Sequence, residues 1–227
     1  MYGKDKEEKF IKYFDKLTRW PIDGCPLLEI KMPDAIHNEW LQWAEKYKEY
    51  KDHELGFLKE HLNKGKNSYQ ISVHSSDLEK SWNYSFIIRL GEYYIHKLKG
   101  FNYQTLRRCV GIRGSIGEQD VHDFWINYAY KGDSNPKHEH AGSIASVQYI
   151  KNVQDNPTYL LWEEKQINYE AEDGYMIMFP NNMTHWVDEK ITEEERITGS
   201  VNLVFEEDWY NRRDKPNYSL KNIGIKK

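Results

Sequence analysis

Arg196-Ile-Thr-Gly-Ser-Val-Asn-Leu-Val-Phe205 is the stretch on which the reading of the fold turns. Its residues alternate cleanly. Arg196, Thr198, Ser200 and Asn202 fall on one side; Ile197, Val201, Leu203 and Phe205 fall on the other. A side-chain period of two is the signature of a β-strand with two unlike faces. The apolar face belongs in a core. The polar face either meets water or lines the mouth of a barrel, and alternation alone does not separate the two.

Working outward from this stretch, similar short runs recur from about residue 105. They are Trp125 to Tyr130, Ser143 to Ile150, Tyr159 to Trp162, Tyr175 to Phe179 and His185-Trp186-Val187. Turn residues stand between them at Gly132-Asp133, Asn135-Pro136, Asn156-Pro157, Glu172-Asp173-Gly174 and Pro180-Asn181-Asn182. Closely spaced strands of this kind build a sandwich or barrel. The first half has a different period. Residues 6 to 18 place Phe10, Ile11 and Phe14 at helical spacing, and Leu27 to Lys31 suits a short strand. Pro33-Asp34 opens a helix carrying Trp40, Trp43, Ala44 and Tyr47 on one face. Asp77 to Leu98 reads as another helix, with Trp82, Phe86, Ile87, Leu90, Tyr94 and Ile95 at spacings of three and four. Both amphipathic helices are expected to pack on a sheet. The expected division is a helical part over residues 1–104 and a strand-rich core over residues 105–227, in one structural domain overall.

Composition narrows the function classes. The chain has 227 residues and a formal net charge of -4, so no bulk electrostatic case for nucleic acid exists. The basic residues at the very end, Lys221, Lys226 and Lys227, read as a solvated tail. Cys25 and Cys109 are far apart and have no metal-type spacing, so neither a disulfide framework nor a cysteine metal site is expected. The opening MYGKDKEEKF is charged from its fourth residue, and no apolar run is long enough to span a bilayer. The expected location is cytoplasmic, with no membrane partner.

Three groups of residues can carry chemistry. In Pro136-Lys-His138-Glu-His140, a strand start would point His138 and His140 to one face and Glu139 away. Paired imidazoles suit iron, zinc, copper or nickel, but two surface histidines after a turn would look the same. Forty-five residues on from His140, after Gly174-Tyr-Met-Ile-Met-Phe-Pro180, stands His185. In a jelly-roll a late strand returns beside an early one, so His185 can complete a metal site; a buried histidine satisfied by hydrogen bonds is the alternative. On the 196–205 strand, Arg196 offers a rigid fork for a carboxylate, with Thr198 or Ser200 as hydroxyl donors. The remaining histidines, at 37, 53, 61, 74, 96 and 122, have no paired spacing and read as surface or packing residues.

Taken in order, these elements resemble a known family. The segment Phe124 to Ile150, with its Trp-Ile-Asn strand, Asn-Pro, HxH and a following serine and tyrosine, is similar to 2-oxoglutarate/Fe(II)-dependent oxygenases of the phage and marine-bacterial type. Gly174, Phe179-Pro180, His185, Arg196, Thr198 and Asn202 continue that likeness, which covers roughly residues 105 to 206. The resemblance implies an α+β fold: a double-stranded β-helix (jelly-roll) with N-terminal helices packed on the major sheet. It implies Fe(II) as metal and 2-oxoglutarate as cosubstrate, in a dioxygenase that hydroxylates a substrate while decarboxylating 2-oxoglutarate to succinate. The substrate class, a protein side chain or a small molecule, stays open, as does the oligomeric state. A phage-encoded protein acting in the host cytoplasm would fit the resemblance. Most relatives carry Asp or Glu where this chain has His140. Either His140 takes that place, so that His138, His140 and His185 are the metal ligands, or only two of the three bind iron; the expectation taken forward is all three. Arg196 and Thr198 would hold the far carboxylate of 2-oxoglutarate, with Tyr149, Asn127 and Trp186 nearby. The rival expectations are a cupin-like metal-binding protein, for which Ile144 and Ala145 stand where a glutamate ligand would be wanted, and a non-enzymatic jelly-roll binding module.

Overall fold

The computed structural model describes residues 4–49, 68–73, 75–78, 80–98, 124–140, 144–154 and 156–203. Cys109, His53, His61, His74, His122, Ser143, Phe205, the basic tail and the boundary between residues 104 and 105 lie outside the described residues. Among the described residues, no helix is long and apolar enough to cross a membrane.

Among the described residues there are four helices, the three long ones on stretches with the 3.6-residue period. They are α1 (Lys4–Asp15), α2 (Asp34–Lys48), α3 (Ser75–Leu78) and α4 (Trp82–Lys97). Pro33 precedes α2 and Asp34 sits in its first turn, where an acid suits the helix dipole. Helix α2 buries Ile36, Trp40, Trp43, Ala44 and Tyr47 along one stripe. The stretch expected to be one helix from Asp77 to Leu98 is two. Ser81 takes an extended backbone (φ -79, ψ 137), and its hydroxyl accepts from the Tyr84 N–H at 3.0 Å. Glu39 of α2 accepts from the Asn83 N–H at 2.7 Å. These contacts satisfy donors that a helix start leaves open, so the chain restarts at Trp82 instead of running through.

The strands are β1 (Thr18–Arg19), β2 (Leu28–Lys31), β3 (Tyr69–Ser72), β4 (Phe124–Ala129), β5 (Asn135–His138), β6 (Ile144–Lys151), β7 (Thr158–Trp162), β8 (Lys165–Tyr169), β9 (Tyr175–Pro180), β10 (His185–Val187) and β11 (Arg196–Leu203). They form a seven-stranded sheet, β1-β2-β9-β6-β11-β4-β3, and a four-stranded sheet, β5-β10-β7-β8. Every pairing is antiparallel. The first part of the chain is not only helical, since β1, β2 and β3 supply both edges of the large sheet. Asn135-Pro136 is not the expected turn but the start of β5. Proline is tolerated there because β5 is an edge strand, where a missing N–H breaks no ladder on the open side.

The large sheet has two differently occupied faces. On one, Phe124, Ile126, Tyr128, Ile144, Met176, Met178, Ile197 and Val201 share a core with the buried residues of α1, α2 and α4. Tyr128 donates to the Ala44 carbonyl at 2.7 Å, and Trp40 stacks on Phe124 with centroids 6.4 Å apart. On the other face, Ala145, Tyr149, Ile177 and Phe179 share a second core with Leu160 and Tyr169 of the small sheet. Gly199 shows why β11 needs glycine: a Cβ there would stand 2.7 Å from the Trp40 ring. The even-numbered residues of β11 consequently face the space between the two sheets.

Candidate metal centre

The register of the large sheet lays out the wall of this inter-sheet chamber as a grid. One row holds Phe179, Ala145 and Asn202; the next holds Ile177, Val147, Ser200 and Trp125. A third row holds Tyr149, Thr198 and Asn127, and a fourth holds Arg196 and Ala129. Successive rows are about 7 Å apart along the strands. A register shift falls between Ile197 and Thr198, and Ile150, on the same face of β6 as Ile144, belongs to the helix-side core.

Three histidines converge on the chamber from the other side. His138 ends β5 and pairs in register with His185, which opens β10. His140 lies beyond the end of β5, so the pair does not sit at a strand start as expected; strand parity is not what brings His140 in. Its backbone is held instead by Asn181: the His140 N–H donates to the Asn181 carbonyl at 3.0 Å, and Asn181 Nδ2 donates to the His140 carbonyl at 3.0 Å. The ligand nitrogens of His138, His140 and His185 all lie within 4.8 Å of one another. Ring centroids are 4.2 Å apart for His138 and His185 and 4.8 Å for His140 and His185. Glu139 points away and accepts from Thr184 Oγ1 at 2.8 Å.

The tautomers of two rings follow from their partners. His138 Nδ1 lies 2.7 Å from the Pro136 carbonyl, and His185 Nδ1 lies 3.0 Å from that of Met183. A carbonyl only accepts, so both Nδ1 atoms carry the proton and each Nε2 keeps its lone pair. This is the arrangement that orients a metal-binding imidazole. Burial, reinforced by His138, holds His140 down at about 4; burial, with both other imidazoles, holds His185 down at about 3. Burial also lowers His138. All three are neutral at ordinary pH, the form in which imidazole binds metal. His140 Nε2 and His185 Nε2 are 3.0 Å apart. Two nitrogens bound at a right angle to one ion, each about 2.1 Å from it, would stand about 3.0 Å apart. The donor set therefore fits a first-row divalent ion.

The residues expected near a cosubstrate lie on the facing wall. Arg196 is 6% exposed, and its charge acts on the Tyr149 phenol, whose pKa burial raises. Tyr149 donates to Thr158 Oγ1 at 2.8 Å. Asn127 Nδ2 donates to Ser200 Oγ at 2.9 Å and to Thr198 Oγ1 at 3.3 Å, while its buried Oδ1 has no hydrogen-bond partner. Both hydroxyls thus accept from Asn127 and keep their own protons to give. Trp186 is placed elsewhere: it stacks on Tyr159 and lies under Lys137, on the face opposite His185. His37 meets the Ile150 carbonyl at 2.9 Å, which fits its reading as a packing residue. Asn181, Phe179 and Trp125 are not among the site residues that the sequence reading names. The Phe179 ring is 4.9 Å from His185 and that of Trp125 is 5.7 Å from His140. The Pro-Asn turn is the signal that points to Asn181, and the two aromatics stand in stretches that carry the resemblance, the Trp-Ile-Asn strand and Phe179-Pro180.

No family model and no curated protein sequence matches the chain. Solved structures do. An alpha-ketoglutarate-dependent (2-oxoglutarate-dependent) non-heme epimerase, SnoN from nogalamycin biosynthesis, is 10% identical with a TM-score of 0.55, over 85% of this chain and 80% of that one. A prolyl hydroxylase from Trichoplax adhaerens, solved with a hypoxia-inducible-factor peptide, is 13% identical with a TM-score of 0.51, over 95% of this chain and 99% of that one. A 2OG-Fe(II) oxygenase family protein from Burkholderia pseudomallei is 14% identical with a TM-score of 0.32; the chain spans only 40% of its length and 34% of its own. The chain shares its fold with the alpha-ketoglutarate-dependent epimerase and with the prolyl hydroxylase.

Proposed function

We propose that this protein is an iron(II)- and 2-oxoglutarate-dependent oxygenase, a hydroxylase of an organic substrate, built on a double-stranded β-helix with N-terminal helices packed on its larger sheet. The observation that carries the reading is the pairing of two features across one chamber. Three neutral imidazoles converge with their ligand nitrogens within 4.8 Å of one another, and a buried arginine stands on the opposite wall. The shared fold supports it.

His138, His140 and His185 would hold the iron through their free ring nitrogens, with the Pro136 and Met183 carbonyls fixing two of the rings. Arg196 would pair with the far carboxylate of 2-oxoglutarate, joined by Thr198 and Ser200, whose protons Asn127 frees for that purpose. Tyr149, stacked on Tyr169 at 5.5 Å, stands beside Thr198 on the way to Arg196. When bound, iron with 2-oxoglutarate supplies the oxidising chemistry: one oxygen atom of O2 goes to the succinate formed with release of CO2, and the other goes to a substrate C–H bond.

The test is an anaerobic titration of metal-free protein with iron(II) and 2-oxoglutarate, following the visible charge-transfer band of the chelate. The band should form in the wild type and be lost in His185→Ala. Iron binding without 2-oxoglutarate would favour the cupin-like metalloprotein, and binding of neither would leave a structural or binding jelly-roll.

A further inference from the structure

We infer that Asn202, with Trp125 beside it, forms the wall that recognises the organic substrate, and that this wall takes an uncharged group carrying an N–H or O–H donor on a flat or apolar body. The inference rests on the assignment of the Arg196 side of the chamber to 2-oxoglutarate.

The grid of rows supplies the geometry. The histidines lie against the first two rows, since His185 packs on Phe179 and His140 lies against Trp125. Arg196 is two rows beyond Trp125, about 14 Å along the strands. A cosubstrate bridging the histidines and Arg196 would cover Thr198 and Asn127. It would leave Asn202, which lies in the first row, level with His185 and three rows from Arg196. The Asn202 side chain faces the chamber, because Val201 and Leu203 on either side of it belong to the helix-side core.

Asn202 Oδ1 is buried and accepts no hydrogen bond, although the residue itself is partly exposed. A buried acceptor left unpaired costs about 1–3 kcal/mol, which a ligand donor would recover. The neighbouring side chains set the rest of the preference. Among the described residues of β4, β6 and β11, the first two rows hold Asn202, Ala145, Ser200, Val147 and Trp125, with no charge among these five. A charged group would be desolvated there without a partner, which is unfavourable. The half-exposed indole of Trp125 offers a face on which a planar or apolar body can lie.

The test uses acetanilide, a flat neutral amide with one N–H, against N-methylacetanilide, which lacks that donor. Full-length protein is loaded with manganese(II), an oxygen-inert paramagnetic stand-in for iron, together with 2-oxoglutarate, and broadening of the probe NMR lines is read. Acetanilide should bind about tenfold more tightly than the N-methyl compound, the ratio one recovered hydrogen bond supports. In Asn202→Leu and in Asn202→Ala the ratio should fall to within about twofold, and two variants are used so that a folding failure in one leaves the comparison intact. Trp125→Ala should weaken both probes together. No broadening by either probe at about 10 mM in the wild type, equal binding of the two, or a preference that survives in the Asn202 variants would each overturn the inference. The oxygenase reading is judged separately by the iron and 2-oxoglutarate band of the wild type. A probe preference without that band would leave Asn202 as a recognition site and remove the cosubstrate assignment.

Discussion

Gly199→Ala tests the orientation of β11, on which the whole polar wall depends. A Cβ at this position would meet two Trp40 ring atoms at 2.7 and 2.8 Å and Gln148 Oε1 at 3.0 Å. Carbon atoms pack comfortably at about 3.5–4.0 Å, so the indole would have to retreat by about 1 Å. Trp40 has nowhere to go: it is fully buried, edge-on to Trp43 at 5.1 Å and stacked on Phe124. Overpacking of this kind costs about 1–3 kcal/mol. The backbone at Gly199 is not left-handed, so alanine fits its φ and recovers about 0.5–1 kcal/mol of conformational entropy. The net expectation is a destabilisation of about 1–2 kcal/mol, or a melting temperature lower by about 3–6 °C in a chain of this size. Urea unfolding monitored by tryptophan fluorescence should show a lower midpoint with an unchanged slope. In a double-mutant cycle with Trp40→Leu, the cost of the added methyl should largely vanish. A neutral or stabilising Gly199→Ala would mean that Gly199 does not face Trp40. The placement of Thr198, Ser200 and Asn202 in the chamber would then fail with it.

Further outcomes follow from the same contacts. Arg196→Met should weaken 2-oxoglutarate about 10- to 150-fold in the chelate-band titration, the loss of one charge-assisted pair, and an unchanged midpoint would remove Arg196 from that role. Asn181→Ala, which releases the His140 backbone, should lower manganese(II) affinity about tenfold or more by isothermal calorimetry while leaving the fold intact by circular dichroism. Manganese(II) at about one hundred times its dissociation constant should add about 2.7 kcal/mol of stability to the wild type and none to His185→Ala, read as a melting shift of several degrees. Ser81→Ala should cost about 1 kcal/mol in urea by removing the α4 cap.

The sequence by itself carried the local physics. Alternation at Arg196 to Leu203 was enough to say that Thr198 and Ser200 share a face with Arg196, because a strand permits no other arrangement of neighbours. The stripes through Trp40 and Tyr94 identified the faces that α2 and α4 bury, since helical spacing fixes them too. His138, His140 and His185 could be named as candidate ligands from residue type and order. Only the tertiary structure decided that the polar face of β11 lines a chamber instead of meeting water, because the small sheet that covers it comes from other parts of the chain, while Trp40 packs on the opposite face at Gly199. It also decided how His140 arrives, through a backbone clamp from Asn181 that no spacing encodes, and why Trp186 turns away while its neighbour His185 turns in. The edge strands β1, β3, β5 and β8 escaped the sequence because they are short and largely polar; their partners across the sheets give them their form.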